Sequence, residues 1–80
     1  MYLKEAIVLR INELCNEKNI TINKLSTICG ITQSTLANWK VREKTNISTL
    51  TILRICRGLD MTIQEFFDVP LFQNNEFEDE

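Results

Sequence analysis

Gly30 stands between two short runs whose apolar residues keep a helical period, and no other stretch restricts the fold so tightly. Upstream, the Thr21 hydroxyl can accept a backbone N–H left orphaned in a first helical turn, and Ile22, Leu25, Ile28 and Cys29 follow at helical spacing. Gly30 then tolerates the left-handed conformation that ends a helix. Downstream, Thr32 can cap a helix over residues 33–41, in which Leu36, Ala37 and Trp39 face inward while Gln33, Ser34, Thr35, Asn38 and Lys40 stay outside. Two helices this short, joined by so tight a turn, cross near a right angle only around a small residue. Ser26 supplies it, and Leu25, Cys29, Ile31, Leu36 and Trp39 supply the apolar contacts.

The rest of the chain reads as helices on the same core. Eighty residues, 44% of them apolar, allow one modest core, and two Gly and one Pro are too few breakers for a many-stranded sheet. An all-α fold follows. Ile7, Ile11, Leu14 and Cys15 draw a stripe on a helix over residues 4–18, with Asn19 as its left-handed exit. Val41 to Ile47 has no clean period and reads as a loop. Asn46 or Ser48 then caps a helix through Leu59, with Ile52, Ile55, Cys56 and Leu59 on its apolar face, and Asp60 is a left-handed candidate after it. Thr62-Ile63-Gln64-Glu65 is a capping-box pattern opening a short helix with Ile63, Phe66 and Phe67, which Pro70 is expected to terminate. One domain is expected over residues 1–72, followed by an acidic, disordered tail over residues 73–80.

Several function classes are disfavoured at once. Cys15, Cys29 and Cys56 form no CxxC pair and the chain has no His, so neither a metal site nor a disulfide framework is suggested, and each Cys reads as a small buried hydrophobe. No nucleophile stands beside a base and no Gly-rich phosphate loop is present, so neither an enzyme nor a cofactor is expected. Neither a membrane span nor a secretory signal is legible, which places the chain in a reducing cytoplasm.

The net charge of −2 is uneven, because Glu76, Glu78, Asp79 and Glu80 fall in the last five residues. Without residues 76–80 the balance is nine basic against seven acidic residues, or +2. Lys40, Arg42 and Lys44 lie within five positions, a footprint suited to a phosphate backbone.

With Gly30-Ile-Thr-Gln-Ser-Thr-Leu36, Ile52-Leu-Arg-Ile-Cys-Arg-Gly-Leu59 and Ile63-Gln-Glu-Phe-Phe67 in combination, the chain resembles the Cro/repressor (XRE) family of helix-turn-helix proteins from about Ile7 to Phe67. The resemblance implies a compact five-helix, lambda-repressor-like DNA-binding domain whose third helix enters the major groove. It also implies that Thr32 donates to a phosphate and that Gln33, Ser34 and Asn38 face base edges. The chemistry agrees: Gln and Asn can bond adenine bidentately, and hydroxyls serve either partner. Thr35, Lys40, Arg42, Lys44 and Asn46 are the further phosphate candidates. The sequence departs from the family at Ile22, where the second helix usually opens with Gln. It departs again at Cys15 and Lys40, where the family often pairs an Arg with a Glu.

The function so implied is that of a sequence-specific transcriptional regulator, a repressor, binding an inverted-repeat operator in double-stranded DNA. One such motif reads only a few base pairs, so a homodimer on two half-sites is expected, with Phe67, Leu71 and Phe72 as the dimerisation candidates. Two alternatives share the fold: an antitoxin that also binds a protein toxin, and a protein-binding adaptor without DNA affinity.

Overall fold

The computed structural model describes residues 1–31 and 47–78. Among them run five helices: α1 (Leu3–Lys18), α2 (Ile22–Cys29), α3 (Thr49–Gly58), α4 (Ile63–Phe67) and α5 (Pro70–Gln73). The expected helix over 33–41 lies outside the described residues, as does Trp39. The fold is all-α; an isolated parallel bridge pairs Tyr2 with Glu78.

Three helix ends use one device. Asn19, Gly30 and Asp60 take positive φ (55°, 69° and 55°) after α1, α2 and α3. In each case the next residue donates its N–H five residues back: Ile20 to Cys15 O, Ile31 to Ser26 O and Met61 to Cys56 O, at 3.0, 3.0 and 2.9 Å. That bond satisfies a carbonyl the helix itself leaves free and turns an apolar side chain onto the core. Ile31 is buried and Ile20 and Met61 pack against the core. Starts are set as locally: Thr21 accepts from Lys24 N, and Ser48 rather than Asn46 caps α3 by accepting from Thr51 N. At Thr62 both halves of the capping box are made.

Pro70 does not act as a simple terminator. Already at Phe67 α4 ends, and Pro70 is the first residue of α5, where its missing N–H is one that a helix does not use. Val69 before it is extended, as the proline ring requires.

The core gathers Ile7, Ile11, Leu14 and Cys15 of α1, Leu25 and Cys29 of α2, Ile52, Ile55 and Cys56 of α3, Leu59, and Phe66 of α4. Phe66, Leu25 and Ile55 are fully covered, each stabilising the fold by about 1.5–3 kcal/mol. Two of the apolar residues named on the helices are exposed: Ile28 by 42% and Ile63 by 48%. Conversely, Arg10 of α1 is only 5% exposed. Its Nε donates to Phe66 O at 2.8 Å, one terminal nitrogen donates to Glu65 O at 3.2 Å, and the other meets Glu13 at 2.6 Å. Those carbonyls belong to the last turn of α4, so α1 supplies the cap that α4 lacks.

The stretch expected to be a disordered tail makes defined contacts over residues 74–78. Asn75 Nδ2 donates to Leu71 O, Glu78 N donates to Met1 O, and the Met1 ammonium lies 3.7 Å from the Glu78 carboxylate.

Candidate nucleic-acid interface

The first helix of the expected motif and its turn are built as the sequence requires. Ser26 is 4% exposed, and its hydroxyl donates to Asn23 O at 2.7 Å, so a polar side chain is buried without an unmet bond. Nothing crowds the position of a Cβ on Gly30, so the glycine serves the left-handed conformation rather than space.

At the other glycine space is decisive. A Cβ on Gly58 would stand 2.6 Å from Cys29 Sγ and 3.1 Å from Ile28 Cγ2, so the C-terminal turns of α2 and α3 touch where residue 58 has no side chain. The Cys29 thiol also lies 3.9 Å from Ile55 O. These contacts fix α2 on α3, and the chain then enters the core at Ile31 and packs against it again at Ile47. Ile31 and Ile47 are thus anchored on the same core.

Thr21, Asn23, Lys24 and Thr27 are exposed around α2, and Ser48, Thr49 and Leu50 around the start of α3. Neither helix carries an acid in its first turn, so the positive end of each backbone dipole is left uncompensated and favours an anion. Sequence reading passed over this signal, which is visible as the absence of Asp and Glu from residues 22–24 and 49–51.

Every expected DNA-contacting residue lies outside the described residues: Gln33, Ser34 and Asn38 for bases, and Thr32, Thr35, Lys40, Arg42, Lys44 and Asn46 for phosphates. The dimerisation candidates are described. Phe67, Leu71 and Phe72 are all half-buried, and Phe67 and Phe72 stack edge to face at 4.9 Å while packing against the core.

Cys15, Cys29 and Cys56 are buried and free, and burial pushes all three thiols up, which suits packing rather than nucleophilic chemistry. Among the described residues no His, Cys, Asp or Glu group could hold a metal ion, and no helix is long and apolar enough to cross a membrane.

Comparison with known proteins agrees with this frame. The Cro/C1-type HTH DNA-binding domain matches residues 10–70. An SPbeta prophage-derived uncharacterized HTH-type transcriptional regulator, YopS, of Bacillus subtilis (strain 168) is 38% identical over 58 residues, which cover 72% of this chain and 78% of that protein. The crystal structure of the prophage Lp1 protein 11 superimposes with a TM-score of 0.80 at 29% identity, covering 90% of this chain and 96% of the other.

Proposed function

Since the chain belongs to the Cro/C1-type helix-turn-helix DNA-binding domain family, we propose that it is a transcriptional repressor that reads the major groove of an inverted-repeat operator as a homodimer. The observation that carries this reading is the frame of α2 and its turn: a buried small residue at Ser26, a left-handed Gly30, and Ile31 returned to the core. In this reading the segment after that frame is the one that enters the major groove, about 12 Å wide. The B. subtilis relative, named as an HTH-type transcriptional regulator, supports the regulatory part.

In this proposal Gln33, Ser34 and Asn38 read base edges. Thr32, Thr35, Lys40, Arg42, Lys44 and Asn46 hold phosphates, aided by the acid-free first turns of α2 and α3. Phe67, Leu71 and Phe72 join two copies, so that two half-sites about one helical turn apart are bound together. Selection of bound sites from random duplex DNA tests the whole reading. A palindromic consensus with half-sites about 10 base pairs apart is expected, and recovery of no enriched sequence would overturn it.

A further inference from the structure

Neither α2 nor α3 carries an acid anywhere along its length, and every described acid lies on α1 or after the end of α3. The exposed cations of the two helices are Lys24, Arg54 and Arg57, and among the described residues none of the three is in an ion pair. Arg57 lines a cavity with Asp60, the first acid after α3. Lys24 and Arg54 have no acid within a helical turn of them in the sequence.

These two cations flank one contact. Lys24 precedes Ile28 by four residues on α2, Arg54 precedes Gly58 by four on α3, and residues four apart share a helix face. Ile28 and Gly58 meet, with Ile28 Cγ2 lying 3.1 Å from where a Cβ on Gly58 would stand. Ile28 is nevertheless 42% exposed. A single exposed isoleucine is ordinary on a protein surface, and what distinguishes this one is its setting between two cations that no neighbouring acid offsets.

We propose that Lys24, Ile28 and Arg54 form a docking surface for an acidic protein segment that presents an apolar side chain, which covers Ile28 while carboxylates to either side meet Lys24 and Arg54. Charge complementarity selects an anionic partner. Ile28 selects a polypeptide over a phosphate backbone, because an exposed aliphatic side chain gains from apolar cover, which a row of phosphates does not offer. An apolar centre within a charged rim is also the anatomy of a protein interface. The surface calls on none of the residues assigned above to bases, phosphates or dimerisation.

Selection from a displayed library of random peptides, with the full chain as bait and random-sequence duplex DNA as the competing anion, tests this assignment. Enriched peptides should combine Asp or Glu with an apolar residue. Their affinity should fall about tenfold for each of the Ile28→Ser, Lys24→Glu and Arg54→Glu variants, once circular dichroism has shown these to be folded. Lys24→Gln and Arg54→Gln, which only remove the charges, should give smaller losses in the same direction. Because Ile28→Ser changes no charge, it should leave binding to random duplex DNA as it is. Recovery of no acidic and apolar sequence, or of such peptides that bind every variant as they bind the parent chain, overturns the proposal. So does a loss confined to duplex binding in Lys24→Glu and Arg54→Glu, which would make the face a phosphate contact.

Discussion

Cys29 and Gly58 approach more closely than any side chain on residue 58 would allow, with the Cys29 sulfur 2.6 Å from where a Cβ would stand and the Cys29 Cα only 3.4 Å away. The seat of α2 on α3 is set by this contact, and α2 in turn positions the turn at Gly30.

Gly58→Ala therefore sets two effects against each other. Helix propensity favours Ala by about 1 kcal/mol, whereas overpacking a filled site costs about 1–3 kcal/mol. Because the 2.6 Å obstacle is the sulfur of a short side chain that is itself buried in the core, the clash should win, leaving a net loss of about 1 kcal/mol in urea unfolding. In a double-mutant cycle, Cys29→Ala should recover part of that loss by removing the sulfur. Strict additivity would show that the contact does not set the packing.

Arg10→Met should be costly despite the good fit of Met to an apolar site. It leaves the buried Phe66 carbonyl without its donor, a loss of about 1–3 kcal/mol. Arg10→Lys should recover little, since one ammonium cannot reproduce three planar nitrogens directed at Phe66, Glu65 and Glu13. Equal stability of the Lys variant and the parent chain in denaturant titrations would contradict this.

Glu65 gives a pH dependence of known sign. The backbone N–H of Thr62, and then its side chain, hold the Glu65 carboxyl below the ordinary glutamate range. Its contribution is complete above the unfolded value of about 4.3 and is lost as pH falls through the lower folded value. Thr62→Ala should cost about 1 kcal/mol at neutral pH. It should also move the Glu65 titration, followed by NMR, only part of the way back to the ordinary range, because the backbone N–H of residue 62 still donates to the carboxylate; an unchanged titration would exclude the Thr62 hydroxyl as a contributor.

Base reading and phosphate anchoring should fail differently. Gln33→Ala and Asn38→Ala remove hydrogen-bonding groups without changing charge, so each should cost about 1–3 kcal/mol on the selected site and little on random DNA. Arg42→Ala and Lys44→Ala should weaken binding to every sequence and reduce the salt slope by about one ion each, with the specificity ratio preserved. Folded Gln33 and Asn38 variants that keep full site preference would remove the segment 33–41 from its proposed role.

What could be read from the sequence follows the range of the interaction. Asn19, Thr21, Gly30, Asp60 and the Thr62–Glu65 box act within a few residues of themselves, and each takes its expected conformation. Ser26 is buried as expected, while the crossing it was read for lies outside the described residues. Arg10 was not legible, because a charged residue on a helix reads as solvated and its carbonyl partners lie 55 and 56 positions away. Pro70 was read as a stop when it is also a start, since the same fixed φ serves both. Ile28 and Ile63 fit a helical stripe yet stand at its margin, which periodicity alone does not resolve. In the candidate interface the frame was legible, while the acid-free first turns of α2 and α3 escaped notice because they are marked by residues that are absent.

The bond from Arg10 to the Phe66 carbonyl also has a place in time. It closes a loop of 56 residues, so most of the chain must already be compact before the guanidinium finds its acceptors. A contact of that span belongs on the native side of the folding barrier. Loss of the guanidinium should therefore leave the refolding rate nearly unchanged and quicken unfolding instead, making Arg10 a latch on the lifetime of the folded state.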